Sequence, residues 1–232
     1  MAIQHDHDRE LRHHFDTDLD EIRHGLVAMG ALVVENSKRA GEAVVEGNME
    51  LIGVVRRADE EVNEAYRRLE KKAFEILALQ QPVAGDLRFL VAATRMLYEI
   101  ERTGDLAVNI VNSMARSEGF PVIPSLQSLM GRLAKESSQV FASGIEALAD
   151  LDPNAGARLD REDDLVDGLT SDFFTAINHH QGELGLESAV QLSRIGRFLE
   201  RIADHGVNIG EQVTYIVTGT YPWDEDGDDV EE

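Results

Sequence analysis

Two ten-residue stretches, ERTGDLAVNI from Glu101 and ERIADHGVNI from Glu200, agree at six of their ten positions and lie 99 residues apart. Each follows a second matched element: DEEVN from Asp59 stands ahead of the first, and DDLVD from Asp163 stands ahead of the second. Two matches in the same order mark an internal duplication, so whatever one copy folds into, the other must fold into as well. Around these elements apolar residues recur at three- and four-residue steps, as in Leu11, Phe15, Leu19, Ile22, Leu26 and Met29. That is helical spacing, and no stretch alternates as a strand does. Breaks fall at Gly47-Asn48, at Gln81-Pro82, at Gly119-Phe120-Pro121 with Pro124, at Asp152-Pro153, and at Gly182 with Gly185. Six helical segments result, at about 7–46, 49–80, 84–117, 125–149, 152–180 and 186–218. The expected fold is all-α: two tandem up-down-up three-helix bundles of the spectrin-repeat kind, spanning residues 7–118 and 125–218. A linker at 119–124 joins them, and residues 224–232 form an acidic tail expected to be disordered.

Charge narrows the partners. The net charge is -22, with 44 Asp and Glu against 22 Lys and Arg. Such a surface repels nucleic-acid phosphates and anionic membranes alike. Lysine occurs only at Lys38, Lys71, Lys72 and Lys135, and an acidic, lysine-poor surface fits a high-salt cytoplasm in which self-repulsion is screened. The polar opening MAIQHDHDRELRHH is not a signal peptide, and no apolar run reaches the roughly 18 residues of a spanning helix. The absence of cysteine removes disulfides, thiolate metal sites and thiol nucleophiles. A cytoplasmic protein is expected.

The chemistry-bearing residues are acids on apolar faces. Residues four apart on a helix are about 40° apart around its axis, so Glu101, Asp105 and Asn109 form one stripe. Leu90, Leu97 and Val108 lie within about 40° of Glu101, whereas Arg88, Arg95 and Arg102 lie about 100–140° away. In the second copy Glu200, Asp204 and Asn208 form the stripe, flanked by the small or apolar Ala189, Gly196 and Val207, with Arg194 and Arg201 directed elsewhere. Carboxylates gathered in a seam between helices are costly unless their charge is compensated. With the nearest arginines pointing away, a multivalent cation is the natural compensator, and all-oxygen ligands suit hard ions such as Mg, Mn, Ca or ferric iron. The candidate ligands are Asp59, Asn63, Glu101 and Asp105 in the first copy and Asp163, Asp167, Glu200 and Asp204 in the second. The fourth carboxylate predicts tighter binding at the second site. The competing reading is an adaptor without metal, its acids paired with arginines from neighbouring helices.

These elements, together with Gln81-Pro82-Val83-Ala84-Gly85-Asp86-Leu87-Arg88, resemble the PhoU family, in which a Q-P-x-A-x-D-L-R stretch opens the third helix. The resemblance runs from about His14 to Tyr215 and includes Glu162, Asp163, Val166 and Asp167 of the second copy. Thr103 and Ala203 depart from the E-R-I-G-D form, and both are small. The resemblance implies two side-by-side bundles and multinuclear metal clusters on the eight residues named, with iron, zinc, manganese or magnesium as the ion. It implies a homodimer and a non-enzymatic role: restraint of high-affinity phosphate import through contact with the phosphate ABC transporter ATPase subunit and, where one exists, a phosphate-sensing histidine kinase. Asn109 and Asn208 are expected to support the ligands from behind.

A carboxylate-bridged di-iron oxidoreductase is a third reading, but the Glu-x-x-His element such bundles use is missing from both motifs. No glycine-rich phosphate loop and no Ser/His/Asp spacing signature is present. His5, His7, His13 and His14 read as a solvated terminus, and His179-His180 as a helix end. His205, about 140° from Glu200, reads as no co-ligand. Tyr215, Tyr221 and Trp223 are expected to pin the end of the last helix.

Overall fold

The computed structural model describes residues 2–117 and 119–221, with side chains from His14 onward. Trp223, His5, His7, His13 and the acidic tail lie outside the described side chains. Six helices follow one another: α1 (Ala2–Glu46), α2 (Leu51–Gln80), α3 (Ala84–Arg116), α4 (Pro124–Asp150), α5 (Ala155–His179) and α6 (Gln181–Thr218). No strand occurs among the described residues.

Local chemistry sets the ends. Gly47 takes a left-handed φ of 68°, which lets the Asn48 N–H turn back to the Ala43 carbonyl at 2.9 Å and close α1. Gln81 ends α2 in the left-handed region, and Pro82, which has no N–H, cannot continue it. Leu151 closes α4 in the same way, with Asp152 N–H donating to the Ala147 carbonyl at 3.1 Å. Pro124 belongs to the first turn of α4 rather than to the linker, because a helix start needs no N–H there. The expected loop before the last helix shrinks to one residue: α6 starts at Gln181 but breaks at Gly185 (φ 71°, ψ 163°), a conformation glycine adopts freely.

The helices α1, α2 and α3 pack together, as do α4, α5 and α6, and the two bundles join along α1 against α4 and α3 against α6. Ile22, Leu26, Met29 and Val33 of α1 and Leu90, Met96, Leu97 and Ile100 of α3 are buried in the first core. Leu133, Phe141, Leu159, Phe173, Ile195 and Ile202 fill the second. Burying side chains of this size is worth about 1.5–3 kcal/mol each before conformational entropy is subtracted. Within the second bundle α4 and α6 meet backbone to backbone. A Cβ added at Gly206 would stand 2.7 Å from Phe141 Cα, and one at Gly144 would stand 2.6 Å from the Gly206 carbonyl oxygen.

The far end of α6 is tied to α3. Arg88 Nε donates to the Ile216 carbonyl at 3.2 Å, and the rings of Tyr215 and Tyr221 stack 4.2 Å apart. Arg88 and Arg95 lie 6.0 Å over these two rings. Tyr215 and Tyr221 thus hold the helix end as expected. His180 ties the α5–α6 turn to the start of α4, with Nε2 3.2 Å from Ser125 Oγ and Nδ1 2.9 Å from Glu183.

Candidate metal centre

One acid group forms on each bundle, at the seam between its second and third helices. On the first, Asp59 and Asn63 stand one turn apart on α2, and Asn63 Nδ2 donates to Asp59 Oδ2 at 2.9 Å. Across the seam Glu101 and Asp105 stand one turn apart on α3. Gly104 makes room for the approach: a Cβ there would stand 2.8 Å from Asp59 Oδ1. Burial raises the Asp59 carboxyl above the ordinary aspartate range, the Asp105 charge adds to this, and the Asn63 hydrogen bond pulls it back. Glu101 is raised by burial and Asp105, opposed by Arg102 and reinforced by Asp59.

The second group is more charged. Burial pushes the Asp163 carboxyl up to about 7, helped by the charges of Asp204, Asp167, Asp160 and Glu200. Its Oδ1 is buried with no hydrogen-bond partner. Glu200 is raised by burial against the pull of Arg197. Asp204 is raised by burial and Asp167, opposed by His205, Arg197 and Arg201.

Three sequence expectations change in the structure. The acids do not lie in the bundle core. Asp59, Glu101, Asp163 and Glu200 are half-buried, while Asp167 and Asp204 are exposed, so the groups line grooves at the bundle surface. Arginines also reach them. Arg102 Nη1 donates to Asp105 Oδ2 at 3.1 Å, and Arg197 Nη1 donates to Glu200 Oε1 at 2.6 Å and also to Oε2. A helical wheel fixes where a side chain leaves the axis, not how far a long guanidinium bends back over one turn. Finally, the asparagines serve elsewhere. Asn109 is exposed, and Asn208 Nδ2 donates to Glu99 on α3 at 3.1 Å.

The eight residues therefore collect into two groups of four, as the duplication requires. Among the described residues, no three His, Cys, Asp or Glu side chains converge closely enough to hold an ion. The residues nonetheless fit a hard cation: the donors are oxygens, their charges oppose one another, and Asp163 Oδ1 is a buried acceptor with nothing to accept.

A further polar contact was not expected. His205 is buried, and its Nδ1 is hydrogen-bonded to Glu99 across the α3–α6 seam. Burial alone would raise Glu99, but the hydrogen bonds from His205 and Asn208 overcome it and hold the carboxyl below its ordinary value. The duplication could not show this pair, because Phe198 and Leu106 stand at the equivalent positions.

Fold and site together define a duplicated three-helix-bundle protein carrying one acidic groove per repeat. The PhoU domain model matches twice, at residues 26–114 and 130–213. The chain belongs to the PhoU family. It is 30% identical over 209 residues to the "Phosphate-specific transport system accessory protein PhoU homolog" of Synechocystis, covering 90% of this chain and 93% of that one. It is 32% identical to "PhoU homolog 1" of Mycobacterium tuberculosis over 209 residues, covering 90% and 95%. The crystal structure of PhoU from Pseudomonas aeruginosa superposes with a TM-score of 0.82 at 26% identity, covering 89% of this chain and all of that one. These relatives place the chain among accessory proteins of phosphate transport rather than among enzymes. No helix among the described residues is long and apolar enough to cross a membrane.

Proposed function

We propose that this protein is a metal-containing adaptor in the cytoplasm that restrains the phosphate ABC transporter by docking on its ATPase subunit, and on a sensor histidine kinase where one exists. Asp163 carries the metal reading: a half-buried carboxylate with an unpartnered buried oxygen, beside Asp204, Asp167, Asp160 and Glu200, is an arrangement that a bound divalent cation stabilises. Iron, zinc, manganese and magnesium all accept such oxygen donors. When bound, the ion neutralises the grooves and ties α2 to α3 and α5 to α6. Asp59, Asn63, Glu101 and Asp105 hold it on the first bundle, and Asp163, Asp167, Glu200 and Asp204 hold it on the second. A homodimer is the expected assembly.

The transport role rests on the accessory-protein relatives. A pull-down with the transporter ATPase subunit tests it, comparing the native chain with a Glu200→Ala, Asp204→Ala variant. Association of the native chain and its loss in the variant support the proposal. Failure of the native chain to associate contradicts the docking partner. The metal-free adaptor gains weight from Arg102 and Arg197, which neutralise part of each group. Metal analysis of the purified protein separates the two readings.

A further inference from the structure

The two acidic groups are not electrostatic copies. Glu101 corresponds to Glu200 and Asp105 to Asp204 at an offset of 99 residues, and Asp59 corresponds to Asp163 and Asn63 to Asp167 at an offset of 104. One turn before the glutamate, however, the first copy carries Tyr98 and the second carries Arg197. Arg197 Nη1 donates to both oxygens of Glu200, so the guanidinium nitrogen stands on the bisector of the carboxylate. A cation chelated by both oxygens would occupy that same position. In the first copy the neighbouring guanidinium, Arg102, whose counterpart is Arg201, is held away from the glutamate. Its Nε donates to Tyr98 Oη at 3.1 Å, its plane lies 5.2 Å over the Tyr98 ring, and its Nη1 bonds to Asp105. Glu101 receives no hydrogen bond among the described residues.

We propose that Arg197 is a resident counter-ion of the second acidic group, which a divalent cation must displace from Glu200, whereas Tyr98 leaves Glu101 open in the first group. This rests on the metal reading above and sets the relative affinities of the two sites. Displacement is cheap. The Arg197 side chain is 62% exposed, so it swings into water without stranding a donor, while Glu200, 17% exposed, stays in place to take the ion. A pair whose arginine stands this far in water contributes about 1 kcal/mol or less, which is up to about fivefold in affinity. Arg197 therefore opposes the advantage that a fourth carboxylate would give the second site.

The test is Mn²⁺ titration, with free Mn²⁺ read by electron paramagnetic resonance, on the full chain. An Asp59→Asn, Glu101→Gln background isolates the second group. In it, Arg197→Tyr and Arg197→Gln are each expected to tighten Mn²⁺ binding about three- to fivefold. An Asp163→Asn, Glu200→Gln background isolates the first group, where Tyr98→Arg is expected to weaken binding by a similar factor. Thermal melts show which variants fold, and the Gln variant keeps the test available if the Tyr variant does not. Equal or weaker binding in both Arg197 variants, with Mn²⁺ still bound in the parent background, overturns the inference and leaves the metal reading standing. No Mn²⁺ binding to the native chain overturns both.

Discussion

Replacing Asp163 with asparagine should make the metal-free protein more stable at neutral pH, not less. Asp163 keeps its proton up to about pH 7 in the folded chain, against an ordinary 3.8, chiefly because burial and then the charges of Asp204 and Asp167 disfavour its ionised form. The folded state therefore binds this proton more tightly than the unfolded state does, and stability falls as pH rises between those values. Below 3.8 the group costs nothing; above 7 the full cost is present. The side chain is only half-buried, and solvent screening reduces the cost to about 1–2 kcal/mol. Asparagine keeps the shape and removes the charge. With a chelator at pH 8, Asp163→Asn should melt roughly 2–8 °C higher than the native chain, given about 2–4 °C per kcal/mol for a chain of this size. At pH 4.5 the difference should shrink towards zero. Added Mn²⁺ should raise the native melting temperature more than that of the variant, in which only the first group is intact. Scanning calorimetry or circular dichroism reads all three. A variant that melts lower at pH 8, or one whose advantage is the same at pH 4.5, refutes the reasoning.

Other perturbations test the frame that holds the grooves. Phe141→Ala, a fully buried ring in the second core, should cost about 3–5 kcal/mol in denaturant unfolding. Gly206→Ala should destabilise by about 1–2 kcal/mol, because a methyl group 2.7 Å from Phe141 Cα forces α4 and α6 apart by more than its helix propensity returns. Glu99→Gln or His205→Ala should each cost about 1–3 kcal/mol by breaking the pair between the bundles. Glu99 is held below its ordinary 4.5, so its contribution is present above that value and lost as pH falls through the folded one. Melts of the native chain should rise from low to molar salt as the net charge of -22 is screened, and a flat response would contradict that expectation.

What could be read from the sequence was whatever repeats or has a period. Gly47, Gln81-Pro82 and Gly185 are breaks that backbone chemistry enforces locally, so the helix ends at Glu46 and Gln80 and the break inside α6 at Gly185 follow from them. The pairing of Asp59 with Glu101 and of Asp163 with Glu200 was visible because each occurs twice in the same order. Depth was not legible. A wheel assigns Glu101 and Asp204 to nearly the same apolar direction, but packing leaves one half-buried and the other exposed. Arg197 was missed because its reach over one turn depends on a rotamer rather than on a period. The Glu99–His205 pair was hidden because it breaks the duplication, joining two helices through residues whose counterparts are Phe198 and Leu106.

The acids of the two grooves are held together by the fold against their own repulsion, and a bound cation is what makes that arrangement favourable. Anomalous diffraction at the manganese edge from crystals grown with Mn²⁺ tests this most directly. Peaks between Asp163 and Glu200 and between Asp59 and Glu101 are the predicted result, with Arg197 turned away from Glu200. Density for Arg197 still seated on Glu200, and no manganese peak at either groove, would contradict it.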